Sequence, residues 1–346
     1  MKIYVPEYYK SFKCIAEKCR DNCCIGWGID IDESSLEKYK NLKNPEGERI
    51  LSTIDFSDGA SFITDGQGRC KNLDDRGLCR IISALGEAYL CQICRDHPRY
   101  FNCEFGRCEG GLGLACEEAA RLILTSDNAT KMAEVEYYEI SPRYVCDEEL
   151  PLRTRELIFS YLDGDDMGRD DVKVAINRLL SISALLDSVI LGNLFSREQV
   201  DIASDELQNP KYNAPCGDEL VSVMCSAFDD AEALTDDFHQ KRKAAIDVTS
   251  SPDFYEFLNS DGRKCFINLL CYFIYRYFLC CEADYIQSMG FSIASALLIC
   301  ATVYAGGDYS IENFIEESKN FSKNVEYSDE NVGEAMENMG KIIRFY

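Results

Sequence analysis

Beyond about residue 150 the apolar positions of this chain recur with helical period, and before residue 130 they do not. The periodic part predicts helices over 152–162, 172–195, 219–237, 238–248, 311–321 and 331–343. In the second of these Ile176, Leu179, Leu180, Ile182, Leu185, Leu186, Val189 and Ile190 form one apolar stripe. Two stretches, 265–281 and 290–307, are apolar almost throughout. The second carries no charge and is just long enough to cross a bilayer. Ser292, Ser295, Thr302 and Tyr304 interrupt it, and its neighbour holds Asn268 and Arg276. Both read as buried helices forming the central hairpin of a soluble bundle.

The first third has a different texture. Residues 1–13 are an aromatic arm with Tyr4, Tyr8, Tyr9 and Phe12. Ile29-Asp30-Ile31-Asp32 alternates as an extended segment does. Asp32 or Ser34 then caps a helix through Leu36, Tyr39 and Leu42, which Asn44-Pro45-Glu46-Gly47 ends. Asp65-Gly66 between Phe62-Ile63-Thr64 and Cys70 signals a short β-hairpin, and Asp74 to Gly77 a further turn. A helix over 82–90 delivers Cys91 and Cys94 at its C-terminal end, and Pro98 stops the segment. Gly110, Gly111 and Gly113 form a flexible loop before a helix that starts at Cys116, a place where an anion can sit. The fold expected is mostly α: an irregular cysteine-rich module (1–128) with a short β-hairpin, an acidic connecting segment (129–150), and an α-helical bundle (151–346) on which the module packs.

Cysteine usage changes the picture most. Eleven of the 19 cysteines fall between Cys14 and Cys116. They open as C-x4-C-x3-C-C (Cys14, Cys19, Cys23, Cys24) and continue with Cys70, Cys79 and the close pair Cys91 and Cys94. Thiolates are soft ligands suited to iron–sulfur clusters and zinc. Short spacers in a chain that opens without a secretion signal read as metal binding before disulfides, and as a cytoplasmic protein. Buried, inert thiols are the plain alternative. A formal charge of −24 argues against bare nucleic acid and against anionic membranes as partners.

The N-terminal pattern resembles the flagellin lysine-N-methylase family. The resemblance rests on Pro6-Glu7-Tyr8-Tyr9, on Cys14-x4-Cys19-x3-Cys23-Cys24-x2-Trp27, and on Ile31-Asp32. It continues through Cys70-x8-Cys79-x-Ile81, Leu90-Cys91-x2-Cys94, Pro98-Arg99 and Cys116-Glu117-Glu118-Ala119-Ala120-Arg121. The family implies methyl transfer from S-adenosylmethionine to lysine side chains of flagellin, or of another lysine-bearing protein. It also implies a cysteine-held iron–sulfur cluster of the 4Fe-4S type, with zinc as the alternative. Cys14, Cys19, Cys23, Cys24, Cys70, Cys79, Cys91 and Cys94 are the candidate ligands. Cys103, Cys108, Cys146, Cys216, Cys225, Cys265, Cys271, Cys280, Cys281 and Cys300 lie outside the pattern and read as core or incidental residues. The C-x3-C-x2-C loop of radical enzymes is absent, Gly26 standing where its third cysteine would fall.

Lysine methylation needs a deprotonated amine and a site that tolerates a sulfonium. Tyr8, Trp27 and Asp30 are therefore the candidate catalytic residues, with Tyr9 and Asp32 beside them, and Arg99 and Gly111 the candidate cofactor-binding ones. His97 follows Cys94 as a further possible ligand; His239 reads as solvated. The alternative function is a non-catalytic zinc- or iron–sulfur-binding module with a helical protein-interaction domain.

Overall fold

A computed structural model describes residues 2–104, 107–136, 149–163, 170–191, 205, 218–229, 231–232, 236–279 and 284–345. In chain order it begins with strand β1 (Lys2–Pro6), helices α1 (Glu33–Asn41) and α2 (Pro45–Leu51), and strands β2 (Ile54–Asp55) and β3 (Ser61–Phe62). Short helices α3 (Arg80–Leu85) and α4 (Gln92–Asp96) precede strands β4 (Arg99–Glu104) and β5 (Arg107–Leu112), helix α5 (Glu117–Thr125) and strand β6 (Met132–Glu136). Helices follow: α6 (Glu149–Asp163), α7 (Val172–Leu191), α8 (Asp218–Cys225), α9 (Asp236–Val248), α10 (Pro252–Leu258), α11 (Arg263–Tyr277), α12 (Tyr285–Gly306), α13 (Ile311–Phe321) and α14 (Asp329–Phe345). The chain is mostly helical, as expected.

It divides into two compact units. One holds residues 13–100 and 116–118; the other holds 1–12, 101–115 and 119–346. The boundary drawn at residue 128 does not coincide with this division. The cause is a four-stranded sheet, order β4-β5-β1-β6, that ties the first residues to the helical unit. β1 runs parallel to β5 with Tyr4 opposite Glu109, and antiparallel to β6 from Lys2–Glu136 to Pro6–Met132. The aromatic arm is thus partly a strand, and Met132–Glu136 is a strand where a connecting loop was expected; residues 137–148 of that segment lie outside the described residues. Gly110 and Gly111 are inside β5, not in a loop. A Cβ on Gly110 would stand 3.0 Å from Ile3 Cδ1 and 3.3 Å from the Phe101 ring, so glycine there lets the sheet pack.

In the helical unit α12 is the hub. It packs against α7, α8, α9, α10, α11, α13 and α14. Met289, Phe291, Ile293, Leu297, Ile299 and Val303 are buried, and so are Ser288, Ser292 and Ser295. It is the helix among the described residues that is long and apolar enough to cross a membrane, and 83% of its apolar window is buried inside the protein. The hydroxyl of Ser292 donates to the Ser288 carbonyl one turn back, while the buried hydroxyls of Ser288 and Ser295 have no hydrogen-bond partner among the described residues. A Cβ on Gly290 would meet Met339 at 2.5 Å and Ile343 at 2.6 Å; the missing side chain is what lets α14 approach. The segment expected as one helix over 219–237 ends at Cys225 and passes into a 3-10 turn, Ser226–Phe228. Phe321 is followed by a π-helical turn, Ser322–Glu326. The end of the stripe expected to reach residue 195 lies outside the described residues.

In the cysteine-rich unit several expectations are corrected. Asn44 and Pro45 open α2 instead of ending α1: the Asn44 side chain accepts from the Gly47 amide, and proline takes the first turn. The hairpin is β2 with β3, Ile54 opposite Phe62. The Asp65–Gly68 turn closes only an isolated bridge, Thr64 with Cys70. Asp65 explains this, since its carboxylate accepts from the amides of Gln67 and Arg69 and competes with a ladder. The helix expected over 82–90 stops at Gly86, whose φ of 85° ends it. Cys91 is consequently the N-cap of α4, not the end of a helix.

Candidate metal centre

Turn chemistry positions the thiols. The Leu73–Cys79 bridge encloses a turn in which the Asp74 carboxylate accepts from the Arg76 and Leu78 amides. The Cys70 amide donates to the Cys24 carbonyl at 2.8 Å, which fixes the double cysteine beside the first bridge. Cys70 and Cys91 are buried in the core of this unit with Ile29, Tyr39, Phe62 and Ile81, and Cys24, Cys79 and Cys94 pack against it.

Six thiols therefore share one neighbourhood: Cys23, Cys24, Cys70, Cys79, Cys91 and Cys94. Their electrostatics show it. The hydrogen bond to Cys23, then burial, pushes the Cys24 thiol far up, and the charges of Cys79 and Cys70 add to the rise. Cys91 and Cys94 are hydrogen-bonded to each other, which lowers the Cys91 thiol and, with burial, raises Cys94 far above its ordinary value. Burial raises Cys70 and Cys79. A group that resists several bare thiolates is the kind that a cation relieves. Among the described residues, no three His, Cys, Asp or Glu side chains are arranged closely enough to hold a metal ion as they stand.

Cys14 and Cys19 are placed otherwise. Cys14 is exposed. The Cys19 thiol donates to Glu117 at 3.7 Å, and the same carboxylate accepts from the Arg20 amide at 2.7 Å and from Arg20 Nε at 2.8 Å. Burial pushes Cys19 up to about 11, with Glu117 adding to it. Cys103 and Cys108, expected as thiols, are instead joined by a disulfide, because the β4–β5 hairpin brings them face to face with a Cα–Cα distance of 4.0 Å.

Trp27 is half-buried against this core. Its Nε1–H donates to the Cys23 carbonyl at 2.6 Å, and its ring lies 5.9 Å from that of His97. Asp30 is exposed, bridged through the backbone to Ser61. Asp32 is the N-cap of α1, accepting from the Ser35 amide and the Ser34 hydroxyl; it also accepts from the Gln92 amide at 2.8 Å. Burial would raise its carboxyl, but the Gln92 amide and the two serines outweigh that and hold it well below the usual range. Arg99 begins β4 in the same unit as Trp27. Tyr8 and Gly111 belong to the helical unit, both buried, Tyr8 in a 3-10 turn and Gly111 within β5.

The chain is 29% identical over 136 residues to the lysine-N-methylase of Salmonella typhimurium, and by the same figures to that of Salmonella choleraesuis. Over this length the chain resembles the lysine-N-methylases. The match covers 37% of this chain and about a third, 34%, of those relatives. The flagellar biosynthetic protein FliU of Salmonella muenchen matches at 29% over 136 residues, 80% of its length. No family model and no solved structure matches.

Two residues whose support of the thiols sequence reasoning passed over stand beside them. Asn72 donates to Cys70 Sγ from its amide at 3.4 Å and to Thr53 Oγ1 from its side chain at 3.0 Å, and accepts from Arg49 at 2.9 Å. An asparagine two residues after a candidate ligand was the available signal. Tyr39 packs beside Cys91 and Cys94 and donates to the Tyr89 carbonyl at 2.7 Å. Asp32 gives a direct prediction. Asp32→Ala removes the cap of α1 and the acceptor for α4 at once, and is expected to cost about 1–2 kcal/mol in denaturant unfolding. Since the folded pKa lies below the unfolded one, this stability is full above about pH 4 and disappears as pH falls further.

Proposed function

We propose that the chain is a protein lysine N-methyltransferase that uses S-adenosylmethionine, acts on flagellin, and carries a 4Fe-4S cluster on the cysteines of its smaller unit. The observation that carries the reading is the 136-residue similarity to proteins named lysine-N-methylase. The donor set suits a cluster by its chemistry: soft thiols, gathered and partly buried, two of them hydrogen-bonded to each other. Four of the six thiols Cys23, Cys24, Cys70, Cys79, Cys91 and Cys94 would hold it, neighbouring Cys23 and Cys24 competing for one position. When bound, such a group supplies one-electron chemistry and a rigid centre for the unit. Asn72 and Tyr39 orient the thiols, and Trp27 shields them on one side.

In the transfer itself the neutral ε-amine attacks the methyl carbon, the carbon–sulfur bond breaks, and a neutral thioether leaves. The amine must first give up a proton held with a pKa of about 10.4, which a nearby carboxylate or solvent base accepts. A sulfonium donor suits a protein with a formal charge of −24.

The test is to purify the protein without oxygen and assay iron, sulfide and zinc per chain. The protein is then incubated with flagellin and methyl-labelled donor, and methyl-lysine is read by mass spectrometry. About four iron and four sulfide per chain, with label on lysine, is the expected result. Zinc without sulfide would exclude the cluster. Absence of label on flagellin with a loaded protein would exclude flagellin as the substrate, and absence of donor binding as well would exclude the methylase reading and leave the metal-binding module.

A further inference from the structure

The helical unit contains a groove lined by none of the candidate site residues. It encloses about 360 Å³ between α9, α12, α13 and the π-helical turn. That volume falls within the range of small-molecule sites. Its floor is apolar: Leu298 and Ile299 of α12 with Phe321 of α13, all buried, and Phe238. Its walls are charged in opposite senses. Lys241 and Arg242 come from α9, and Glu316 and Glu317 from α13.

The charges are arranged and not simply mixed. Lys241 Nζ is held between Glu317 at 2.8 Å and Asp237 at 3.1 Å. Arg242 spends Nη1 on Asp229, while its buried Nε has no hydrogen-bond partner among the described residues. The guanidinium nonetheless gives that wall a positive charge, which a carboxylate complements. Asn324, on the π-helical turn, completes the lining. π-turns inside helices recur at functional sites, because the extra residue re-aims side chains that a regular helix would not present.

These features select a ligand class. A polyanion would meet Glu316, Glu317 and Asp237. A simple cation would meet Lys241 and Arg242. A molecule with a carboxylate for the Arg242 side, a cation for the Glu317 side, and a flat apolar body for the Phe238–Phe321 floor matches all three surfaces. We infer that this groove binds a zwitterionic amino-acid derivative with an apolar ring system. S-adenosylmethionine, with its carboxylate, ammonium, sulfonium and purine, is of this class. The inference rests on the methylase reading for that identity, and it moves the donor away from Arg99 and Gly111.

The test uses the full chain, purified without oxygen, with S-adenosylmethionine and S-adenosylhomocysteine as probes. Calorimetry gives the affinity, and amide hydrogen exchange gives the place. Wild-type protein should bind, with slowed exchange in residues 236–248, 298–302 and 316–324. Lys241→Met, and Thr302→Trp, which fills the groove, should each weaken binding about tenfold or more. Lys264→Met, in another cleft of the same unit, should bind as wild type. Melting curves identify any variant that has lost its fold. Binding that is unchanged in the folded groove variants, with protection elsewhere, overturns the groove and leaves the methylase reading standing. No binding of either probe to wild type overturns both.

Discussion

Replacing Arg155 by methionine is expected to destabilise the helical unit by about 3–5 kcal/mol. Arg155 is 1% exposed and Glu109, on β5, is 5% exposed. Two guanidinium nitrogens reach the two carboxylate oxygens at 2.8 and 2.5 Å, and Arg107 Nε adds a third contact at 2.6 Å. Arg155 also donates to the Tyr275 carbonyl and stands over the Tyr275 ring at 5.0 Å. The Tyr275 hydroxyl in turn donates to the Tyr4 and Gly110 carbonyls. One residue of α6 thus ties the sheet to α11. The variant leaves a buried carboxylate short of its main partner, which is why the loss exceeds that of an exposed pair. The double variant with Glu109→Gln should recover part of it, because no bare charge then stays inside. Burial alone would raise the Glu109 carboxyl; Arg155 and Arg107 outweigh it and hold it below its ordinary 4.5. The stabilisation is therefore complete above that value and lost as pH falls through the lower folded one. Wild type and Arg155→Met should draw together in urea unfolding below about pH 4. A constant gap down to pH 2 would show that packing, not charge, sets the loss.

The second large effect is expected in the cysteine-rich unit. Cys70→Ala and Cys94→Ala should each cut bound metal sharply and lower the melting temperature of that unit. Structural metal sites contribute on the order of 10 kcal/mol to the folding of small domains, so even a partial loss is large. Cys225→Ala is the control: Cys225 is fully buried, with its thiol pushed up to about 12 by burial, and it lies in the other unit. Its metal content should equal that of wild type. Cys14→Ala and Cys19→Ala are informative in the same assay. The structure holds Cys19 against Glu117 and leaves Cys14 at the surface, so both should retain most of the metal. Elemental analysis per chain settles each variant. Full metal in Cys70→Ala would remove the six-thiol group as the ligand set.

The helices were legible because their hydrogen bonds are local. The stripe from Ile176 to Ile190, the apolar run now seen as α12, and the Ile311–Phe321 helix each announce themselves within their own length. The serines and glycines that interrupt the apolar run favoured a packed bundle helix, and α12 is buried inside the protein. The breaks were less legible. Nothing in residues 219–237 marks the stop at Cys225, and Gly86 ended a helix that the apolar residues alone would have continued.

The candidate site divides on the same line. Spacing identified the thiols and marked Cys91 and Cys94 as a close pair, but not the hydrogen bond between Cys23 and Cys24, because adjacent side chains usually point apart. Bringing those two pairs together with Cys70 and Cys79 depended on the Asp65 and Asp74 turns and on the Cys24–Cys70 backbone hydrogen bond. The four-stranded sheet was invisible for a related reason. Lys2–Pro6 finds its partners more than a hundred residues away, and a strand of five residues carries too few alternations to declare itself. The sequence by itself determined a helical protein with a cysteine-rich N-terminal segment. Only the tertiary structure decided which thiols meet, which strands pair, and where opposite charges line a groove, because each depends on contacts between residues that no local pattern relates.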